Sequence, residues 1–522
     1  MRIAYSGWFL REGFEKLGCE VVPFRLDAGK TLDACVEDAC HDPDCVFVEL
    51  LGRTNLPQAI FKSRHRLAIY CIDSALNEYW LIPLARLCDA VYVDQLPSVE
   101  KFRTNGVPAT WLPLCVAEND FRQPAEKTHL ITFVGRTTEH RIKRNNLLAY
   151  LKNHFPINVV QDVPKATMLD IFASSRIVLN EDIFPGLNLR FFQALASGSL
   201  LLTERHGHGV GRHFQEGRHY VGYSPEDLVR TIGDMERSYE RYAPIAARGQ
   251  EACRRHHTSE HRARLVIEDL DTKASRADVP LPEKKLHEAL AKYNHALRFG
   301  GTFTEAVALL KEAAQAPNGV ATQALSILGG LSLRLGNTGS GAACLEKCLD
   351  DTTMPGLDAA LKLMLLHAND ERFPVYLSAL AAKLPELGLQ PAKYVTLLDG
   401  CKDSANRYYG CCMLGCALLF DLGRNFDIGF LKQQDERFPD YALEYAVLAF
   451  TTRKTAESLD GIISCAKKAG IAPEALAYIK SAILAVVASE EQIALAVSLA
   501  YAYYDFSFAG NVVKLLKKMV AP

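Results

Sequence analysis

Short β-branched runs alternate with amphipathic stretches at the start of the chain, and this alternation constrains the fold more than any other feature. The runs predict strands at Arg2–Ser6, Glu20–Phe24, Cys45–Glu49, Leu67–Ile72, Ala90–Asp94 and Thr110–Leu114. Strands that alternate with helices at this spacing are joined by right-handed crossovers and form a parallel sheet. Residues 1–120 are therefore predicted to form one doubly wound, Rossmann-like domain.

A second series of the same kind follows a polar stretch that contains a proline. Its predicted strands are Leu130–Val134, Asn158–Val160, Arg176–Asn180, Leu200–Thr203 and Tyr220–Gly222. We assign residues 121–272 to a second Rossmann-like domain. Two such domains meet across a cleft, and ligands of open α/β sheets bind outside the carboxyl ends of the strands. The chemistry of this protein is therefore expected at that cleft.

The rest of the chain has almost no strand signal. A polar stretch with two prolines, 273–285, is the predicted linker, and 286–522 is predicted to be all-α. Within it, Ala296–Ala313 realigns with Ser332–Leu349 at an offset of 36 residues, which is close to the length of a two-helix repeat. The pattern is similar to a degenerate tetratricopeptide-like solenoid. An ordinary helical domain with one chance repeat is the alternative.

Composition excludes several classes of partner. The 59 Lys and Arg against 61 Asp and Glu leave a net charge of -2, which gives no global attraction to nucleic acid or to an anionic membrane. Charged residues follow the first apolar stretch closely, so we expect no signal peptide, anchor or membrane span. The 15 cysteines lie mostly in apolar stretches and favour a reducing, cytoplasmic location. No metal site is predicted.

The segment Ser175–Glu204 carries the strongest functional signal. Its strand ends at Asn180, a turn follows at Gly186, and a helix is predicted to begin near Leu187. Free backbone N–H groups and the helix dipole would then face the cleft, an arrangement that suits a diphosphate. Gln193, one turn further on, could reach hydroxyl groups. A plain strand–turn–helix is the alternative, but it would not need the polar residues at the helix start, Asn188 and Arg190.

Basic side chains collect where the first strand of the second domain ends. This strand runs out at Gly135, and four basic residues follow: Arg136, Arg141, Lys143 and Arg144. Guanidinium groups there could neutralise a pyrophosphate, including the charge that develops on a leaving group. The alternative is a solvated basic helix start, which opposes the helix dipole and needs an anion or an acidic partner.

These two segments resemble the C-terminal half of GT-B glycosyltransferases, most closely the spore-maturation CgeB-like group. The signature of that group is similar to GLN-x-R-x-F-E-A-L-A-x-G, and the matching residues here are Gly186, Leu187, Asn188, Arg190, Phe192, Gln193, Ala194, Leu195, Ala196 and Gly198. The stretches YCIDSALNEYW, YVDQLPSVEKFRTNGV and TWLPLCVAENDF are also similar to that group. The resemblance covers about residues 1–270 and leaves out the helical tail.

The resemblance implies a nucleotide-sugar donor held mainly by the second domain, an acceptor on the first, and no obligatory metal or other cofactor. In related retaining enzymes a Gly-Arg pair and a basic residue five positions on grip the diphosphate. By position these are Gly135, Arg136 and Arg141. The turn before the long helix would supply the backbone N–H groups of Leu187 and Asn188.

The chain also departs from the family pattern. A helix glutamate usually binds the ribose, but this chain has Gln193, whose amide binds a hydroxyl more weakly than a carboxylate does. The second glutamate of the usual pair is replaced by Pro185, with Glu181 and Asp182 upstream as substitutes. His208 lies where these enzymes carry a donor-sugar loop.

An inverting enzyme would need a base in the first domain to take the proton of the acceptor. Asp73, directly after a strand, is the first candidate and Glu49 is the second. The alternatives are a helix cap for Asp73 and a strand-end residue for Glu49. Gly7 follows the first strand, where a backbone can approach a phosphate or an acceptor closely, although a simple turn explains it as well.

The sequence thus predicts a cytoplasmic glycosyltransferase that moves a sugar from a nucleoside-diphosphate sugar to a hydroxyl of a protein or glycan acceptor. The helical domain would bind the acceptor or a partner, because solenoids present extended surfaces. The alternative is a non-catalytic nucleotide-sugar-binding or scaffold protein that works through its helical repeats, and Gln193 and Pro185 favour it. A nucleic-acid binder that uses Arg136–Arg144 conflicts with the neutral composition.

Overall fold

The computed structural model describes residues 1–123, 125–139, 141–182, 186–205, 208–272, 279–317, 319–424, 437–469 and 475–520, the last six by their backbone alone. The chain divides into two compact units, Met1–Asp278 and Val279–Pro522. The first unit holds two parallel sheets, and the second unit is helical. The predicted fold class, two doubly wound Rossmann-like domains followed by an all-α region, is confirmed.

The first sheet has six parallel strands in the order β2-β1-β3-β4-β5-β6. The strands are β1 Arg2–Ser6, β2 Glu20–Pro23, β3 Cys45–Leu51, β4 Leu67–Ile72, β5 Ala90–Val93 and β6 Thr110–Trp111. The intervening helices are α1 Arg11–Lys16, α2 Leu32–Glu37, α3 Ser74–Ala85 and α4 Leu96–Thr104. Every residue of β4 and β5 is buried, as expected of parallel strands covered on both faces.

The second sheet has five parallel strands in the order β11-β10-β9-β7-β8. They are β7 His129–Val134, β8 Ile157–Val160, β9 Ser175–Asn180, β10 Leu200–Glu204 and β11 Val221–Tyr223. Its helices are α5 Ile142–Lys152, α6 Lys165–Ala173, α7 Leu189–Ala196, α8 Leu228–Arg237 and α9 Tyr239–His256. The chain order reverses at β1/β3 in the first sheet and at β7/β9 in the second. Such switch points open the crevices in which α/β proteins bind ligands.

The last helix of the first unit, α10 Ser259–Thr272, returns to the first sheet. It packs on α1, where Gly13 leaves room for it, because a Cβ at Gly13 would lie 2.2 Å from the carbonyl oxygen of Ser259. Arg262 donates from Nε to the carbonyl of Pro113 at 2.6 Å. The sequence assigned α10 to the second domain, yet its contacts tie it to the first. The boundary between 120 and 121 remains a prediction.

The described part of the second unit is built from helices. They are α11 Leu281–Phe299, α12 Thr304–Ala313, α13 Gly319–Arg334, α14 Thr338–Glu346, α15 Met354–Leu366, α16 Phe373–Lys383, α17 Val395–Gly400, α18 Arg407–Asp421, α19 Ala442–Thr452, α20 Ala456–Lys468, α21 Leu476–Leu484, α22 Glu490–Ala502 and α23 Phe506–Val520. The first of them begins inside the predicted linker 273–285, of which 273–278 lie outside the described residues.

The internal sequence repeat maps onto two consecutive helical hairpins, α11–α12 and α13–α14. The aligned glycines, Gly300 and Gly336, follow α11 and α13 and have positive φ angles of 75° and 82°. The aligned Leu309 and Leu345 are both buried. A tetratricopeptide-like architecture for the whole unit remains a prediction.

No disulfide joins the cysteines of the described ranges, and all of them but Cys19 and Cys344 are buried. Within the described ranges, no helix combines the length and the apolar character that a membrane crossing requires.

Candidate active site

The loop after β1 is held by the carboxylate of Glu49. This side chain accepts hydrogen bonds from the Tyr5 hydroxyl at 2.5 Å and from the backbone N–H groups of Trp8, Phe9 and Leu10 at 2.7, 2.9 and 3.0 Å. Each carboxylate oxygen therefore accepts two hydrogen bonds. Burial raises the pKa of Glu49, and the same hydrogen bonds oppose that rise.

Gly7 is the residue that lets this carboxylate approach. A Cβ at Gly7 would lie 2.4 Å from Oε2 of Glu49, so no larger residue fits without moving the carboxylate. The geometry makes Glu49 an anchor of the β1–α1 loop, because its lone pairs are already engaged. The prediction that Glu49 is a base gains no support from this arrangement, and Gly7 serves a turn that the anchor organises.

Asp73 stands in contrast at the end of β4. It adopts a left-handed backbone conformation with φ 53°, which is uncommon outside glycine and is concentrated at functional sites. Its carboxylate accepts no hydrogen bond from any residue that the structure describes. The cap of α3 is instead Asp94, which accepts from the backbone N–H of Asp73 at 2.9 Å and from Ser74 N and Oγ at 3.0 and 2.6 Å. The helix-cap alternative for Asp73 is thus filled by another residue.

The surroundings of Asp73 raise its pKa to about 6. Burial is the largest cause, the negative charge of Asp94 adds to it, and the positive charge of Arg141 acts in the opposite direction. Arg141 precedes α5 in the second domain. The structure therefore brings a predicted base of the first sheet and a predicted diphosphate ligand of the second sheet into one electrostatic neighbourhood. A carboxyl group with this pKa is poised to exchange a proton near neutral pH.

A buried guanidinium lies under the carboxyl ends of β7 and β9. Arg190 donates from Nε to the carbonyl of Val134 at 2.9 Å and from Nη1 to Oδ1 of Asn180 at 3.1 Å. The guanidinium carbon, Cζ, lies 4.5 Å from the centroid of the Phe133 ring. Burial, followed by the nearby Arg144 charge, lowers the pKa of Arg190 to about 10. The other nitrogen, Nη2, lies 2.6 Å from the place where Gly135 would carry a Cβ, so Gly135 is needed for this approach.

Two of the four basic residues after β7 are used inside the domain. Arg144 forms a buried ion pair with Glu181 at 2.7 Å, and Lys143 donates to both oxygens of Glu204 at 2.5 and 2.6 Å. Glu181, predicted for the donor loop, is therefore held by Arg144. The alternative interpretation, a basic helix start, requires acidic partners. Lys143 and Arg144 have such partners.

The two remaining basic residues are differently placed. The side chain of Arg136 is 80% exposed and lies 3.6 Å from Asp162, an exposed carboxylate that holds it weakly. Arg141 lies close enough to Asp73 to lower its pKa. These two residues are the cations of this segment that a diphosphate could recruit.

The turn before α7 is built by Asn188. The helix begins at Leu189, two residues later than predicted, and Asn188 is its N-cap, with Oδ1 accepting from the backbone N–H of Phe191 at 2.9 Å. The Asn188 amide also donates to Asn180 and Asp182. The side chain of Asn188 is thus structural, and its predicted role rests on its backbone N–H alone. Pro185 lies outside the described residues.

The first domain closes onto this turn through Gln95, a residue that the sequence analysis missed. Its Nε2 donates to the carbonyl of Leu187 at 3.3 Å, and a Cβ at Gly186 would lie 2.1 Å from its Oε1. Gln95 and Asp94 directly follow β5 just as Asp73 follows β4. The same strand-end signal that selected Asp73 could have found both.

Two further predicted residues are Gln193, which lies on α7, and His208, which follows β10. The side chain of Gln193 is only 6% exposed, and its amide makes no hydrogen bond within the described part of the chain. Such an amide is available to form a hydrogen bond with a ligand hydroxyl. His208 precedes Gly209, whose Cβ would lie 3.0 Å from the Trp111 ring of the first domain. Among the described residues, no group of three or more His, Cys, Asp or Glu side chains could hold a metal ion.

Comparison with known proteins places the second domain in context. Residues 121–268 match the family model described as glycosyl transferase-like. No curated protein matches the chain. The second Rossmann-like domain is thus glycosyltransferase-like in sequence, and the narrower resemblance to the CgeB-like group remains a prediction.

Several solved structures are similar to the chain over about half its length. HepE from Anabaena, in complex with UDP and glucose, is 13% identical and covers 52% of this chain and 100% of its own, with a TM-score of 0.37. Sucrose-phosphate synthase from Thermosynechococcus elongatus is 10% identical and covers 52% and 98%, with a TM-score of 0.38. A glycosyltransferase from Rickettsia africae is 11% identical and covers 51% and 88%, with a TM-score of 0.35.

Proposed function

We propose that the protein is a glycosyltransferase that moves a sugar from a nucleoside-diphosphate sugar to a hydroxyl group. The observation that carries the proposal is the electrostatic interaction between Asp73, which follows a strand of the first sheet, and Arg141, which precedes the first helix of the second domain, with the pKa of Asp73 raised to about 6. A base poised near neutral pH beside a cation is what sugar transfer requires, because a proton leaves the acceptor while negative charge builds on the leaving diphosphate. The glycosyl transferase-like sequence of 121–268 supports it.

On the donor side, the second domain offers positive charge and close backbone approach. Arg136 and Arg141 neutralise the diphosphate, and the backbone N–H groups at the start of α7 donate to it, while Gly135 leaves room for the guanidinium of Arg190. The buried guanidinium of Arg190 adds a fixed positive charge below. These groups stabilise the diphosphate most strongly as it leaves, when its charge is highest.

On the acceptor side, Asp73 accepts the proton of the attacking hydroxyl while the new glycosidic bond forms and the bond to the diphosphate breaks. This role corresponds to an inverting displacement, with one base and no covalent sugar intermediate. The scheme uses no metal and no cofactor. The helical unit binds the acceptor or a partner protein, and the unpaired, buried cysteines support a cytoplasmic setting.

Ligand-induced thermal stabilisation tests the donor site directly. The purified chain is heated with a panel of nucleoside diphosphates and nucleotide-sugars, because a ligand that binds only the native state raises its stability. We expect one donor to raise the melting temperature selectively and Arg136→Ala to reduce that shift. Arg255→Ala, which removes another exposed arginine paired with a carboxylate, is the matched control and keeps the full shift.

Turnover of the selected donor then separates an enzyme from a binding protein. Hydrolysis of the donor or transfer from it supports the proposal. A folded protein that is stabilised by none of these compounds contradicts it and favours the scaffold alternative, in which partners are sought with the helical unit. Stabilisation without any turnover favours a nucleotide-sugar sensor, the outcome that Gln193 in place of glutamate would explain.

A further inference from the structure

An exposed tryptophan marks the carboxyl edge of the first sheet. Trp8 is 67% exposed, whereas Trp80 is fully buried and Trp111 is half-buried with its Nε1 donating to the Asp94 carbonyl. Large aromatic side chains usually contribute to cores or interfaces, so an indole displayed on the surface needs an explanation.

The loop that presents Trp8 is fixed. Its backbone N–H and that of Phe9 both donate to Oε2 of Glu49, and the Phe9 ring packs beside the indole at 5.6 Å. Holding this loop requires a buried carboxylate and the missing side chain at Gly7. A fixed loop lowers the entropy lost when a ligand binds to its exposed side chain, which is the general value of a preorganised site.

The position of Trp8 relates it to the candidate base. The loop follows β1 at the β1/β3 switch point, where ligands of α/β sheets bind. β3 alone separates β1 from β4, the strand that ends at Asp73. At the usual spacing of neighbouring strands, the ends of β1 and β4 lie about 10 Å apart. A disaccharide unit spans a gap of this size.

We propose that Trp8 is a stacking platform for a sugar ring of the acceptor, and that the acceptor is therefore a glycan. This inference rests on the proposed function. One flat face of a pyranose presents C–H groups that pack on the electron-rich face of an indole. A sugar stacked on Trp8 directs the hydroxyl of the next residue toward Asp73.

The isolation of Trp8 argues for a sugar and against a protein partner. A protein-docking surface is a contiguous apolar patch, with several large side chains exposed together. The other large apolar side chains exposed in the described part of the first unit lie on other elements: Met1 before β1, Ile142 on α5 and Leu265 on α10. Trp8 presents one exposed ring, with the half-buried ring of Phe9 beside it, and a single exposed ring is what one stacked sugar needs.

Acceptor kinetics test the platform. With the donor that stabilises the protein, transfer is measured to cellobiose, maltose, lactose and chitobiose. For the disaccharide that accepts sugar, we expect Trp8→Ala to raise the acceptor KM about tenfold, a loss of one favourable stacking contact, with a smaller change in kcat. Trp8→Phe keeps a ring and recovers most of the loss. Leu265→Ala removes an exposed apolar side chain elsewhere and is the control.

Fluorescence of Trp8 provides a binding measurement that needs no donor. Titration with the same disaccharides should shift the emission of the exposed indole, and Trp8→Phe should abolish that shift. If no donor binds but the shift is seen, the glycosyltransferase proposal fails while the sugar platform stands. An acceptor KM unchanged in Trp8→Ala, or the absence of any disaccharide-induced shift in the wild-type protein, overturns the platform.

Discussion

At the carboxyl edge of the first sheet, the Asp73 carboxylate accepts no hydrogen bond from the described residues, whereas the same edge of the second sheet pairs most of its charges internally. In the first sheet the neighbouring carboxylates are engaged: Glu49 anchors a loop and Asp94 caps α3. In the second sheet, Arg144 pairs with Glu181 and Lys143 pairs with Glu204. Both edges belong to the same compact unit and to the same kind of sheet.

The two edges thus differ in whether their charged side chains form ion pairs within the domain. Internal ion pairs tie the start of α5 to the ends of β9 and β10, so that exposed groups such as Arg136 lie beside a fixed frame. At the first edge the protein retains a carboxylate with an elevated pKa, which costs stability and which the proposed function assigns to the base. Substitution of Asp73 should therefore change activity more than stability, and substitution of the ion-paired residues at the second edge should do the reverse.

Asp73→Asn carries the largest expected effect. Loss of the base should lower the rate of transfer about 10²- to 10⁴-fold. Stability should stay the same or rise above pH 6, because the raised pKa means that the folded state disfavours the ionised carboxylate and an amide carries no charge. Transfer rates and denaturant unfolding measure the two effects. Asp38→Asn, an exposed carboxylate paired with Lys30, is the control. Full activity in Asp73→Asn would remove the base from the scheme.

Arg144→Met should act on stability. It leaves Glu181 buried and unpaired, and breaking a buried ion pair in this way costs about 3–5 kcal/mol in the free energy of unfolding. Urea denaturation measures the loss. Arg103→Met, which breaks a solvent-exposed pair with Glu100, should cost far less. The double variant Arg144→Met/Glu181→Leu should recover much of the loss, since no buried charge remains. If Arg144→Met and Arg103→Met lowered the free energy of unfolding equally, the Arg144–Glu181 ion pair would not stabilise the second domain.

The strands were predictable because buried parallel strands are short, apolar and separated by helices. Arg2–Ser6 and Leu67–Ile72 were predicted with their exact bounds, and the other strands were placed within three residues at either end. The return of α10 to the first sheet was not predictable, because an amphipathic helix does not record which sheet it covers. Its contacts depend on residues more than a hundred positions away, such as Pro113.

For the site, the strand ends were predictable from the sequence, but the ion pairs that the charged side chains form there were not. The sequence does not distinguish the four basic residues Arg136, Arg141, Lys143 and Arg144. In the folded protein, Lys143 pairs with a carboxylate at the end of β10 and Arg144 pairs with one that follows β9. The roles of Glu49 and Asp94 likewise depend on which backbone N–H groups the folded loops bring to them. Which carboxylate is left unpaired is a property of the tertiary structure.

Arg141→Gln sharpens the comparison by testing whether the two edges act together. The positive charge of Arg141 holds down the pKa of Asp73, while burial and Asp94 raise it to about 6. Without that charge the pKa of Asp73 should rise, so the acidic limb of kcat/KM against pH should move to higher pH. The limb belongs to the deprotonated base, and activity falls below it. Arg103→Gln, which changes an exposed arginine in the last turn of α4, should leave the limb in place. A limb that does not move in Arg141→Gln would mean that the base titrating there is not under the influence of the second sheet, and the two edges would then have to be treated as separate sites.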